Sequence, residues 1–353
     1  MAGGIGSRFW PISREAKPKQ FLTFSSSGKS FLRLAYERVA GIIPGDNIIV
    51  ASLPQYREQV LDDIPELSEQ NLILEPYNRN TAPCLAYAVY TLLKRDPEAV
   101  MIAIPADQVI DENELFRKTV VTGMEYASKH EKIVTIGVVP TRPDSNFGYI
   151  QMAEDPAGDK PVRVKTFTEK PDSELAKIFI SSGEFLWNAG IFISKASTLR
   201  EELEKHAPEI TRLWKDWDSH LGSPEERTFI EKLYTDCPRI SIDYAVMEKS
   251  DRVVTIPSSF GWADIGNWES FYEYLVGHDK SGNAIKASGK NLIQDNKGTI
   301  IYSTTGEKLI AVKGLEDYIV VDTDDILMIC PRDEKKLKEF ITELAMPDFK
   351  EYR

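Results

Sequence analysis

Near the start of the chain, three glycines (Gly3, Gly4 and Gly6) lead into Ser7 and a run containing the cations Arg8, Arg14 and Lys19. Glycine accepts positive φ and leaves backbone N–H groups bare, so such a loop can wrap an oxyanion. Arginine grips phosphate oxygens in bidentate fashion, and lysine adds a compact charge. A polyphosphate is the ligand that suits this combination, although most glycine-rich turns only turn the chain. Two common phosphate loops do not fit. A P-loop closes its glycine run with Gly-Lys-Ser/Thr, where this chain has Ser7-Arg8. A dinucleotide fingerprint opens a helix, and here Trp10-Pro11 would stop one.

Further candidates lie where apolar runs end. Asp107 follows the apolar run 100–104 in Pro105-Ala106-Asp107-Gln108, and Asp264 sits in Gly261-Trp262-Ala263-Asp264-Ile265-Gly266-Asn267-Trp268. A carboxylate held rigidly at a strand end can serve as a metal ligand; it can equally be a turn or cap aspartate. In the segment Glu75-Pro76-Tyr77-Asn78-Arg79-Asn80-Thr81-Ala82-Pro83, Asn80 or Thr81 is suited to cap the following helix. Gly148 and Tyr149 lie in one polar–apolar junction and Glu169-Lys170 in another. Read alone, Gly148 is a bulge and Glu169-Lys170 a solvated strand end. Asn188, in Trp187-Asn188-Ala189-Gly190, offers both a donor and an acceptor among core-forming neighbours.

The elements that must position these residues alternate. Residues 30–43, 56–64, 84–93 and 116–129 carry apolar side chains at helical spacing, while 47–51, 72–74, 99–104 and 133–138 are short apolar strands. Such alternation predicts an α/β domain whose sheet is mixed but mostly parallel and covered on both faces, with ligands at the carboxyl ends of the strands. Residues 199–234 read as helical, and 241–248 as a capped helix start. From Lys290 the texture changes to short β runs at 291–294, 299–302, 308–312, 318–321 and 326–329, closed by a helix at 334–344. The expected division is a catalytic domain over 1–280 and a small β-rich module with a terminal helix over 281–353.

With 353 residues, the chain can bury a sizeable core. Its formal net charge of −12 argues against a nucleic-acid surface but not against a nucleotide site, where a few cations set the local field. Cys84, Cys237 and Cys330 are far apart and odd in number, as expected of free thiols in a reducing cytoplasm. His130, His206, His220 and His278 lack metal-ligand spacing and read as surface residues. The chain has no run apolar enough to span a membrane and no secretory signal, so a cytoplasmic protein is expected.

The pattern Gly-Gly-x-Gly-x-Arg-x-Trp-Pro-x-Ser-Arg over residues 3–14, followed by Pro18-Lys19-Gln20-Phe21-Leu22, closely resembles the sugar-1-phosphate nucleotidyltransferases. Within them it is most similar to the mannose-1-phosphate guanylyltransferase branch. The later motifs occur in that family's order over nearly the whole chain. The resemblance implies a Rossmann-like nucleotidyltransferase domain and a C-terminal β-helix or β-prism-like module that helps homodimers form. It implies transfer of GMP from GTP to α-D-mannose 1-phosphate, giving GDP-mannose and pyrophosphate. Glucose or heptose 1-phosphate is the nearest alternative substrate, because a few hydroxyl contacts separate these sugars. A non-catalytic sensor would be expected to lose Asp107, Asp264 or Arg8.

On the same basis, Asp107 and Asp264 would hold Mg²⁺, while Gly3, Gly4, Gly6, Ser7 and Arg8 would take the phosphates of GTP. Glu75, Asn80 and Thr81 would face the base, and Gly148, Tyr149, Glu169 and Asn188 the sugar hydroxyls. Lys19 and Lys170 would neutralise the α-phosphate and the sugar phosphate. The segment 241–248 would be structural support. In the family a hydrophobic strand precedes the glycine loop, so a native start upstream of Met1 is also expected.

Overall fold

The computed structural model describes every residue except 5, 24–26, 156, 157, 159, 276, 277, 288, 307 and 345. The chain falls into two compact units that interleave in sequence. One comprises residues 1–3, 32–106 and 110–262; the other comprises 4–31, 107–109 and 263–353.

The first unit is built on a mixed six-stranded sheet. Its strands, with a separate edge pair, are β1 (Val50–Ser52), β2 (Leu72–Leu74), β3 (Val100–Ala103), β4 (Ile133–Val138), β5 (Tyr149–Met152), β6 (Val162–Thr168), β7 (Phe185–Lys195) and β8 (Val253–Ser258). The sheet order is β3-β7-β4-β8-β6-β5, and β1 pairs with β2 in parallel. β3, β4 and β8 point the same way; the long β7 inserts antiparallel between β3 and β4. Alternation along the strands feeds two cores. Phe192 joins one core, with Leu85, Leu199 and Trp214, while Ile191 and Ile193 join the other, with Phe116, Val120 and Phe260. The Met1 amine donates to Ile104 O at 2.9 Å, Ala106 N–H to Met1 O at 3.0 Å, and Ala2 N–H to Ala51 O at 2.7 Å. Met1 thus pairs in parallel with residues 104–106, just past the end of β3, while Ala2 bonds to β1.

Some local expectations change. The stretch 199–234 is not one helix but four α-helical pieces, Ala196–His206, Pro208–Thr211, Trp217–His220 and Glu226–Asp236, with a 3₁₀ turn at Arg212–Trp214. Pro208 has no N–H to continue the first piece, and Asp216 (φ 61°) and Gly222 (φ 74°) turn the chain. His206 is mostly covered rather than exposed, and lies 3.3 Å from Glu202. Segment 241–248 forms a π-helical turn, Asp243–Met247, in place of an ordinary capped helix. Among the described residues, no helix is long and apolar enough to cross a membrane.

In the second unit, strands Ala284–Ala287, Ile300–Ser303 and Tyr318–Asp322 stack in parallel, and Leu327–Pro331 closes the sheet antiparallel. Asn291–Gln294 and Ile310–Lys313 form a second parallel pair. Buried asparagines join the turns between successive coils. Asn283 Nδ2 donates to Asn296 O at 2.9 Å and its Oδ1 accepts Thr299 N–H at 3.0 Å, while Asn296 Nδ2 donates to Val312 O at 2.9 Å. The core of this unit packs Phe9, Trp10 and Ile12 of the glycine-loop segment against Ile265, Trp268, Phe271, Tyr302 and Met328. The loop that could bind phosphate is thereby part of a packed core.

Replacing Asn283 with alanine would leave a buried N–H at Thr299 and a carbonyl at Asn296 without their partner. The expected loss is about 1–3 kcal/mol, measurable by urea denaturation with circular dichroism. A change below about 0.5 kcal/mol, the size of an ordinary surface substitution, would contradict the stacking account.

Candidate active site

Within the second unit, Lys19 is the centre of a charge cluster. It opens a 3₁₀ turn, Lys19–Phe21, whose residues are all buried, and its side chain is only 5% exposed. The ammonium donates to Asp107 Oδ2 at 2.8 Å and to Asp264 Oδ1 at 3.1 Å, and lies 5.7 Å from the centre of the Phe31 ring. Burial alone would lower the Lys19 pKa, but the two carboxylates outweigh it and raise the value. Asp107 is likewise held below the usual carboxylate range, the desolvation it feels being overcome by Lys19.

Each partner is fixed locally. Asp264 closes a tight turn in which Gly266 N–H donates to Asp264 O at 2.9 Å, and Ile265 is fully buried. Asn267 then caps the helix Trp268–Tyr274 with a reciprocal capping box. Gly6 has φ 70°, and a methyl group there would come within 2.5 Å of Lys19 Cβ. Glycine at this position is what allows the loop to close over the lysine stem.

The remaining loop cations differ in availability. Arg8 is 41% exposed and 3.7 Å from Glu334, with Gly4 and Ser7 also on the open side. Arg14 is committed elsewhere. Its guanidinium grips both oxygens of Asp325 at 2.7 and 2.5 Å, so it is a structural clamp and not a third cation for a ligand.

Within the first unit, Glu75 extends from β2 and is 5% exposed. The Tyr234 hydroxyl donates to Glu75 Oε1 at 3.0 Å. Burial pushes the Glu75 carboxyl up to about 7, against the hydrogen bonds from Cys84 and Tyr234. Gly3 lies beside it: a methyl group at Gly3 would be 3.7 Å from Glu75 Oε2, and Gly3 O accepts from Asn78 Nδ2 at 3.1 Å. Asn80, at φ 70°, is the N-cap of helix Thr81–Arg95, accepting Thr81 N–H at 2.8 Å. The Thr81 hydroxyl accepts Ile242 N–H at 2.9 Å, which anchors the π-helical turn.

A third cluster, also in the first unit, gathers around Gly148. A methyl group at this glycine would lie 2.5 Å from Glu169 Oε2 and 3.6 Å from Asn188 Nδ2. Lys170, with φ 49°, pairs with Glu169 Oε1 at 2.8 Å, and Glu169 N–H donates to Glu248 at 2.9 Å. Tyr149 is wholly buried, its hydroxyl accepting Asp144 N–H at 3.0 Å, so its side chain belongs to the core behind this cluster. Two residues here carry no sequence signal of their own: Asp243, bonded to Asn188 at 2.9 Å, and Thr135, bonded to the same amide at 3.2 Å. Asp243 falls in a stretch that read as structural support. Its register in the π-helical turn has no periodic signature, and its partner lies 55 residues away.

Residues 1–280 match the nucleotidyl transferase family, and residues 289–344 match the MannoseP isomerase/GMP-like beta-helix domain. The chain is 35% identical over 355 residues to mannose-1-phosphate guanylyltransferase of Escherichia coli K12, spanning 97% of this chain and 72% of that protein. It is 36% identical over 353 residues to the mannose-1-phosphate guanylyltransferase of Salmonella montevideo, spanning 97% and 73%. A crystal structure described as mannose-1-phosphate geranyltransferase from Thermus thermophilus superposes with a TM-score of 0.86 at 30% identity, covering 98% of each chain.

The raised Glu75 value carries a stability consequence. A carboxyl whose pKa is about 7 in the fold, against an ordinary 4.5, favours folding while protonated. That contribution is complete below pH 4.5 and is lost as pH rises through 7. Glu75→Gln, which mimics the protonated form, should therefore gain thermal stability relative to the parent as pH goes from 5 to 8. A Tm difference that does not change with pH would contradict this assignment.

Proposed function

The chain belongs to the mannose-1-phosphate guanylyltransferase branch of the nucleotidyl transferase family, and from that premise we propose how its residues divide the reaction of GTP with mannose 1-phosphate. An oxygen of the sugar phosphate attacks the α-phosphorus of GTP, the bond from that phosphorus to the β-phosphate bridging oxygen breaks, and pyrophosphate leaves as GDP-mannose forms. The sugar phosphate is already an anionic nucleophile, so neither a general base nor a covalent enzyme intermediate is needed. The main obstacle is repulsion between two anions, and catalysis consists of positioning and charge neutralisation.

The observation that carries this reading is the Lys19 ammonium held by Asp107 and Asp264. Two carboxylates converging on one cation are oxygen donors of the kind a hard divalent ion takes; among the described residues no group of three or more acidic, His or Cys side chains exists for it. In this proposal Asp107 and Asp264 would hold a divalent ion such as Mg²⁺, which would supply neutralisation of the phosphate charge. Lys19 takes an α-phosphate oxygen, and Arg8 with the N–H groups of Gly4, Gly6 and Ser7 steadies the pyrophosphate. Glu75, Asn80 and Thr81 serve the guanine side, and Gly3 joins the rest of its loop on the phosphates. Glu169, Asn188 and Gly148 hold the sugar hydroxyls, with Tyr149 behind them and Lys170 on the sugar phosphate. The free thiols Cys84, Cys237 and Cys330 suit a cytoplasmic setting. Exposed Leu292, Leu309, Leu327 and Ile329 on the β-rich unit suit contact with a second copy.

Pyrophosphate release, crossing GTP, ATP, UTP and dTTP against mannose 1-phosphate and glucose 1-phosphate, tests the reading. Activity confined largely to GTP with mannose 1-phosphate is expected, and an absence of turnover with that pair would overturn it. Asp107→Ala should reduce kcat by roughly 10²–10³, the size of losing one preorganised electrostatic group. A near-parental rate at saturating Mg²⁺ would refute its role.

A further inference from the structure

The Asn188 carboxamide is fixed at both ends. Its oxygen accepts Gly190 N–H at 3.0 Å and the Thr135 hydroxyl at 3.2 Å, while its nitrogen donates to Asp243 Oδ1 at 2.9 Å. A backbone N–H can only donate, so the amide has one orientation. The oxygen's two lone pairs are both used, and the nitrogen keeps one hydrogen for a ligand. Asn188 therefore meets a ligand only as a donor, although its residue type alone allows either role.

The spare hydrogen has a complement close by. The position of a methyl group on Gly148 would be 3.6 Å from Asn188 Nδ2 and 2.5 Å from Glu169 Oε2, so the bare glycine makes room for the Glu169 carboxylate and brings an acceptor and the Asn188 donor to the same spot. A sugar hydroxyl is both donor and acceptor and can answer the two together. Glu169 is itself held by Lys170 at 2.8 Å. Asp243 is set by the π-helical turn Asp243–Met247, whose entry at Ile242 is tied to Thr81, and local π geometry of this kind recurs at functional sites.

We propose that Asp243 is a positioning residue for sugar recognition: it locks the Asn188 carboxamide so that its remaining N–H meets a sugar hydroxyl that donates in turn to Glu169. This rests on the chain acting on a sugar 1-phosphate. Burial, and then the neighbouring Glu169 charge, push the Asp243 carboxyl up to about 7, and both its ionised and neutral forms can accept the Asn188 hydrogen.

The test is a double-mutant cycle read by KM for mannose 1-phosphate at saturating GTP, with folding checked by Tm. Asp243→Ala should raise that KM about tenfold, the equivalent of one lost hydrogen bond. The KM for GTP should stay within about twofold, since the lost contact serves only the sugar. Asp243→Asn keeps a carbonyl oxygen for the Asn188 amide and should stay within about threefold of the parent, a loss smaller than that of one hydrogen bond. In an Asn188→Ala background, Asp243→Ala should add less than about twofold, because the two act as one unit. An unchanged KM in Asp243→Ala, additive effects in the cycle, or a GTP KM that rises in step would each overturn the proposal. Asp243→Ser carries the same test if the alanine variant does not fold. Parent protein that turns over no sugar 1-phosphate would contradict the functional reading and this one with it; an active parent with additive mutants contradicts this one alone.

Discussion

A buried ammonium shared by two carboxylates is the constraint on which the second unit depends. Removing Lys19 from water is costly, and the charge is tolerable there only because Asp107 and Asp264 meet it at 2.8 and 3.1 Å. The demand propagates outward. Gly6 must be glycine so that the loop can close on the lysine stem, and Phe9 and Trp10 are sunk in the core with Trp268, whose indole N–H donates to Trp10 O at 3.1 Å. Asp264 is held by a turn that ends in a capped helix. The same balance of charges is suited to phosphate chemistry.

The first unit meets a different problem, which is to keep polar groups oriented inside an apolar sheet. Glu75 is buried and raised toward neutral pH, with Tyr234 and Cys84 bonded to it. Asn188, on β7, is pinned by Thr135 from β4 and by Asp243 from the π-helical turn. Thr81, just after the Asn80 cap, reaches across to Ile242. One hydroxyl thus ties the segment carrying Glu75 and Asn80 to the turn that orients Asn188. In the proposed reading, local polar satisfaction and recognition draw on the same set of bonds.

Much of this was legible in the sequence, and the remainder was not, for physical reasons. Alternating apolar strands and helices announced the α/β unit, and the shift to short β runs after Lys290 announced a β-rich module, whose coiled form only the family resemblance implied. The insertion of β7 antiparallel between β3 and β4 leaves no mark in local pattern, because a fully buried strand is apolar whichever way it runs. The breaks within 199–234 were written in Pro208, Asp216 and Gly222, but their signal was weaker than the apolar period around them. The carboxylates Asp107 and Asp264 stood out by their place at the ends of apolar runs; that both converge on Lys19 is a matter of tertiary contact. Arg14 looked identical in kind to Arg8 until Asp325, 311 residues away, was seen to occupy it. Asp243 was invisible as a site residue, since its significance lies entirely in the distant Asn188.

The central claim is that nucleotidyl transfer here is a single direct displacement, driven by charge neutralisation and positioning. The stereochemical course at phosphorus tests it most directly. GTP made chiral at the α-phosphorus by sulfur substitution would be turned over with mannose 1-phosphate and the product's configuration determined. One in-line attack inverts the centre, and inversion is the predicted result. Retention would require two successive displacements through a covalent enzyme–nucleotidyl intermediate, and would contradict the account.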